Sequence, residues 1–300
     1  MEHDVFVDRM REVYPALAVT TARLVPHGWS NHVLIVNEQL VFRFPRQAAT
    51  LDARVREVAI LRGLAGRTTL PVPDPIYTAW APRRVGQVFM GYRLIPGQPL
   101  WRQTFAALDE ATRTRVACQL GTFLRELHDI PIGEAIAVEL PVLARRERWT
   151  RLYERVQERL FPLMRPRARR AAAHLFESFL AEPTRFSFQL VLTHRDFATS
   201  NILIDGAVPQ VSGIIDFGSA GLADPAADCA GILSAYGEPF LYQFLAVYPE
   251  LEAAFERARF YVRTFPLQEA LAAAERGDAA TMKQGLAAFS RATMTSSDRV

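Results

Sequence analysis

The chain reads as an α+β protein in two lobes, a small antiparallel-sheet lobe followed by a larger, mainly helical one. Three observations predict this. Residues 19–47 alternate apolar and polar side chains in short runs broken by turns, the pattern of half-buried strands. Beyond residue 105, apolar residues recur mostly at helical spacing. Between these regions, Pro96-Gly97-Gln98-Pro99 has the composition of a connection. The predicted division is a sheet lobe over 1–95, a linker over 96–104 and a helical lobe over 105–300.

Strands are expected over 19–25, 32–36 and 40–44, with turns at His27-Gly28-Trp29-Ser30-Asn31 and Asn37-Glu38. A helix over 51–64 follows from the spacing of Leu51, Val55, Val58, Leu61 and Leu64, and ends near Gly66. Pro71, Pro73 and Pro75 then exclude helix, and strands resume over 76–80 and 87–95. In the second lobe, helices are predicted over 112–128, 145–160 and 167–180. Short strands follow at 190–193, 202–204 and 213–215, where Leu192, Ile202, Leu203, Ile214 and Ile215 should anchor a hairpin in the core. Helix resumes over 226–235 and most of the remainder, with a frayed end from Thr295.

The composition, 50% hydrophobic and 22% charged, is that of a soluble globular enzyme. No apolar run is long enough to span a membrane, and no signal-peptide pattern opens the chain, so a cytoplasmic location is expected. The two cysteines, Cys118 and Cys229, lie in apolar helical patterns and read as buried thiols. Nearly all the basic residues are arginine, Lys283 being the one lysine. Arginines crowd 145–170, interleaved with Glu147, Glu154 and Glu158. A basic helix could touch nucleic acid, but a solvated face laced with helical ion pairs is the expectation. A monomer acting on a small molecule, with neither nucleic acid nor membrane as partner, is predicted.

The densest chemistry lies in His194-Arg195-Asp196-Phe197-Ala198-Thr199-Ser200-Asn201, followed by Ile215-Asp216-Phe217-Gly218. Asp196, Asn201 and Asp216 are oxygen donors on apolar segments joined by a short turn. Phosphoryl transfer from a nucleotide needs such a set: one carboxylate faces the attacking hydroxyl, while a carboxylate and an amide hold Mg²⁺ against the phosphates. Asp196 is the expected base, with Asn201 and Asp216 as metal donors. His194 reads as a hydrogen-bonding residue that fixes the loop, and His128 as a helix cap or core residue. In the sheet lobe, Ser30 and its turn could cover phosphates, or be a plain hairpin turn. Arg43 alternates to the face of Val41, and Glu57 on the next helix could pair with it. Such a pair would position a cation over the phosphates, or be a surface ion pair.

In the order of these parts the chain resembles the aminoglycoside phosphotransferase family, which has a protein-kinase-like fold. It is most similar to the 2″-phosphotransferase and macrolide phosphotransferase branches. The resemblance covers nearly the whole chain and is carried by VFRFPR (41–46), REVAIL (56–61), GYRLIPG (91–97), FLRELH (123–128), HRDFATSNILID (194–205) and IDFGSAGLADPAAD (215–228). It implies that Asp196 is the catalytic aspartate, Asn201 and Asp216 the Mg²⁺ ligands, and Glu57 the partner of the strand cation. Asp224 and Asp228 would brace the C-terminal lobe. It also implies that Tyr92 guards the back of a purine pocket, with the backbone of Arg93, Leu94 and Ile95 meeting the base. GTP or ATP is the implied donor, GTP being preferred because a bulky guard accompanies it in the 2″ branch. One departure stands out: kinases and most aminoglycoside kinases carry lysine where this chain has Arg43, as macrolide-kinase-like relatives do. Arginine can grip two phosphate oxygens but is bulkier than lysine; Arg46 could share its work.

Over 224–269 the acids Asp224, Asp228, Glu238, Glu250, Glu252, Glu256 and Glu269 outnumber Arg257, Arg259 and Arg263. This excess suits a polycationic aminoglycoside, or is an ordinary helix face. Asp228, Glu238 and Tyr236 are the expected substrate contacts. The many aromatics of the same region could line a macrolide pocket, or be core. The alternatives are thus an aminoglycoside kinase, a macrolide or metabolite kinase, and a nucleotide-binding module without turnover, the last suggested only by the missing lysine.

Overall fold

A computed structural model describes residues 4–26, 31–134, 136, 140, 146–206 and 208–295. The sheet lobe contains β1 (Ala22–Val25), β2 (Asn31–Val36), β3 (Leu40–Pro45), β4 (Tyr77–Ala79) and β5 (Phe89–Arg93). They form one five-stranded antiparallel sheet in the order β1-β2-β3-β5-β4. Period-two alternation sorts the faces of β3. Phe42 and Phe44 pack with Leu34, Val36 and Phe89 on one face. Val41, with Met90 and Tyr92, joins the core on the other, beside Val58, Leu61 and Leu64 of helix α2 (Leu51–Leu64). Arg43 therefore points inward with Val41.

The first face is closed by a helix that the strand pattern did not announce, α1 (Asp4–Val13), whose Phe6, Val7 and Met10 are buried on it. These residues do recur at helical spacing, but ten residues with a low mean hydropathy make a weak signal without the sheet beneath. Strand β1 accordingly starts at Ala22 rather than at residue 19.

The predicted linker is also built into the fold. Gln98–Pro99 forms β6, which pairs with β8 (Ile202–Asp205), and β8 pairs with β9 (Gln210–Ile214). A further helix, α3 (Arg102–Ala107), follows before α4 (Glu110–His128). The α4 N-terminus is capped by Asp109, which accepts the Thr112 N–H at 2.8 Å. Helices α5 (Arg146–Arg159) and α6 (Pro166–Leu180) fall where expected. Arg155 of α5 pairs with Glu275 of a distant helix, so this ion pair joins helices rather than lacing one.

Leu192 is not part of the β8–β9 hairpin. It lies on β7 (Val191–Thr193), which pairs with β10 (Gly221–Ala223). Helices α7 (Ala226–Tyr236), α8 (Glu238–Gln243), α9 (Phe255–Glu275) and α10 (Ala279–Thr295) complete the lobe. Its core is aromatic: Phe179 of α6 stacks on Phe260 of α9 at 3.6 Å, and Phe123 of α4 stacks on Phe197 of the 194–201 loop at 5.9 Å. Most aromatics of 236–261 serve this core, Phe240, Phe244, Phe255, Phe260 and Tyr261 being buried. Cys229 is buried and Cys118 half-buried. Among the described residues no helix is long and apolar enough to cross a membrane.

Candidate active site

The 194–201 loop follows β7, and the Asp216 turn follows β9. The backbone joins them, since the Ile215 N–H donates to the Asn201 carbonyl at 2.9 Å. All three predicted oxygen donors therefore sit at one end of the hairpin. Asn201 is buried, and its Nδ2 donates both to the Asp196 carbonyl at 2.8 Å and to the Asp196 carboxylate at 2.9 Å. These bonds do not use the amide oxygen. Asp196 itself is exposed.

His194 is fully buried and serves the loop. Its Nδ1 accepts the Asp196 N–H at 3.3 Å, so its proton is on Nε2, which donates to the Ile215 carbonyl at 3.0 Å. Two residues here hold left-handed backbones that non-glycine residues seldom adopt, Arg195 (φ 66°) and Asp216 (φ 64°). The first is held from below. Asp228 of α7 accepts the Arg195 N–H at 2.7 Å and the His194 N–H at 3.0 Å, and lies 3.2 Å from His128 Nε2.

The sheet lobe meets this set through Arg43. Its Nη1 donates to Glu57 Oε1 at 2.7 Å and its Nη2 to Asp216 Oδ1 at 2.6 Å. Arg43 is 4% exposed and Glu57 1%, so this is a buried pair, not the surface ion pair weighed above. Burial alone would lower the basicity of Arg43; the Glu57 and Asp216 carboxylates outweigh it and raise it. Burial likewise opposes ionisation of Asp216, but the Arg43 guanidinium brings its pKa down to about 2. Its side chain is 42% exposed and stays open to solvent.

Tyr92 is buried beside this cluster, and burial pushes its hydroxyl up to about 12. Of the three residues expected to meet a purine, Leu94 does not offer its amide, whose N–H is taken by the Gln39 carbonyl at 2.7 Å. Arg93 is exposed and Ile95 half-buried. Arg46 is not turned to the cluster by its observed bond: its Nε donates to the Asn31 carbonyl at 3.2 Å. Ser30 lies outside the described residues.

The expected substrate contacts fare differently. Asp228 is fully buried and committed to the loop, so it is a brace and not a substrate ligand. Tyr236 donates its hydroxyl to the Leu100 carbonyl at 2.8 Å and packs on Phe105. Glu238 is paired with Arg259. Asp224 is also buried, held by Arg257 at 2.6 and 2.9 Å and by the Tyr261 hydroxyl at 2.8 Å. Much of the acid excess over 224–269 is therefore spent inside the fold.

A cavity of about 270 Å³ opens beside Asp196, and its lining includes Arg102, Arg195, Thr199, Ser234 and Phe265. A second of about 220 Å³ shares Arg195 and Phe265 and adds Arg148 and Trp149. Burial and the nearby Arg148 push the Arg195 guanidinium down to about 10. The sequence reading missed this lining because it assembles α3, α5, α7, α9 and the 194–201 loop, which no spacing rule connects. It also missed Arg54, whose buried guanidinium pairs with Glu57; the i, i+3 spacing on α2 was the available signal.

A model of the phosphotransferase enzyme family matches residues 21–261. The chain is 30% identical over 275 residues to viomycin phosphotransferase of Streptomyces vinaceus, covering 90% of this chain and 93% of that one. Among solved structures, the GDP and kanamycin complex of APH(2″)-IIIa is 25% identical with a TM-score of 0.89, covering 97% of this chain and 98% of that chain. The macrolide 2′-phosphotransferase MphH from Brachybacterium faecium shares the fold, with 21% identity and a TM-score of 0.75 over 96% of this chain and 98% of that one. The chain belongs to the phosphotransferase enzyme family and is an enzyme of phosphoryl transfer.

Proposed function

We propose that the chain transfers the γ-phosphoryl group of GTP, or of ATP, to a hydroxyl of an antibiotic, foremost an aminoglycoside. The observation that carries this reading is the convergence of Asp196, Asn201 and Asp216 at one hairpin end, with Arg43 of β3 reaching Asp216 at 2.6 Å. Asp196, exposed beside the cavity, orients the acceptor hydroxyl and takes its proton late in the transfer. Arg43 turns its guanidinium to the α/β-phosphates from its seat between Glu57 and Asp216. Tyr92 closes the back of the purine pocket, and Ile95 and Arg93 face the base.

An all-oxygen donor pair, one carboxylate and one amide, fits a hard cation such as Mg²⁺. The Asn201 amide oxygen and the solvent-facing Asp216 carboxylate would hold it. Bound there, Mg²⁺ neutralises charge on the phosphates. Relatives support the donor and the acceptor: APH(2″)-IIIa is solved with GDP and kanamycin, and viomycin phosphotransferase is another relative. We take the chain to act as a monomer in the cytoplasm, where nucleotide donors are available.

One observation favours a second reading. Among the described lining of the cavity beside Asp196, Asp196 is the sole carboxylate, facing Arg102 and Arg195. That lining suits a macrolide or another less cationic alcohol better than a polycation. Nucleotide turnover with GTP and with ATP, against kanamycin, viomycin, a macrolide and simple alcohols, separates the readings. Asp196→Asn should abolish transfer and leave nucleotide binding largely intact; undiminished transfer would refute its role, and a clear ATP preference would remove the GTP assignment.

A further inference from the structure

We infer that Arg54 is a positioning residue of the phosphoryl-transfer site: it keeps the buried Glu57 carboxylate compensated, and so frees Arg43 to turn toward the nucleotide phosphates. The inference rests on the phosphotransfer reading above. Glu57 is shared by two guanidiniums, Oε1 by Arg43 at 2.7 Å and Oε2 by Arg54. It is 1% exposed, so water cannot replace a departing partner. A carboxylate this deep that depended on Arg43 alone would hold that side chain in place, because release would strand a buried charge. With Arg54 on its other oxygen, Arg43 is free to answer the phosphates.

A second observation is independent. The Arg54 guanidinium lies against Gly218, so that a Cβ there would fall on its Nη2. Gly218 ends the Asp216-Phe217-Gly218 turn, and Arg54 thereby ties α2 to the segment that carries the Asp216 donor. Arg54 is itself 5% exposed, and its Nε has no acceptor among the described residues. Depth without full satisfaction is costly for a guanidinium. The contacts that keep it there are those to Glu57 and to the turn.

The test measures binding of a fluorescent GDP analogue with Mg²⁺ to the intact chain, alongside melting temperature. Arg54→Met is expected to weaken binding about tenfold, the equivalent of one charge-assisted hydrogen bond. Arg54→Lys should recover part of the loss. Gly218→Ala, which displaces the same guanidinium without touching any charge, should weaken binding similarly. A purely structural Arg54 would lower the melting temperature and leave the dissociation constant unchanged; that result in folded Arg54→Met overturns the inference. Should Arg54→Met not fold, unchanged binding in Gly218→Ala overturns it equally. If the unaltered chain binds no nucleotide, the phosphotransfer reading itself fails.

Discussion

Replacing Asp228 by alanine is expected to remove a large fraction of the folding stability and to disable transfer, although Asp228 touches neither substrate nor nucleotide. Its Oδ1 accepts the Arg195 N–H at 2.7 Å and its Oδ2 the His194 N–H at 3.0 Å, with His128 Nε2 at 3.2 Å. A hydrogen bond to a charged group contributes about 1.5–3 kcal/mol, so two give about 3–6 kcal/mol. Asp228 is 0% exposed, so water has no route to the orphaned N–H groups. The left-handed Arg195 backbone, which costs on the order of 1–3 kcal/mol, would also lose the bond that holds it. Since domains are stable by only about 5–15 kcal/mol, the variant should be marginal. Asp228→Asn should recover at most one of the two bonds, because its NH₂ would face a donor. Urea denaturation followed by circular dichroism gives the change in free energy at constant m-value. An Asp228→Ala protein within about 1 kcal/mol of the unaltered chain would refute the brace argument, given the desolvation cost it omits.

Other expectations follow from the same cluster. Arg43→Lys replaces a fork by a point charge that cannot span Glu57 and Asp216 together; nucleotide KM should rise by about tenfold, the value of one charge-assisted contact, with the acceptor KM little changed, in steady-state kinetics. Asp216, held at a pKa of about 2 against an ordinary 3.8, contributes stability that is complete above the ordinary value and lost as pH falls toward about 2. Stability of the unaltered chain should therefore fall more steeply between pH 4.5 and 2.5 than that of Asp216→Asn, as denaturant titrations at roughly those two pH values would read.

Much of this protein is legible along the chain. Period-two alternation places Arg43 on the inner face of β3, and helical spacing locates α2, α4, α5 and α6, because each pattern reports which side chains must leave water. The Asp196, Asn201 and Asp216 set is marked in the chain as well, by three oxygen donors placed at the ends of apolar segments. What the chain could not disclose depends on contacts between segments far apart in sequence. Asp228 and Glu238 look alike as acids; one is sealed under the 194–201 loop and the other pairs with Arg259. Gln98-Pro99 looks like a linker and becomes a strand because β8 offers it an edge. Helix α1 forms on a sheet that its own ten residues cannot predict. Arg54 gains its meaning only where α2 meets the turn at Gly218. Local patterns record hydration preferences residue by residue, whereas the charge environment of a site is a sum over neighbours that only folding brings within a few ångströms.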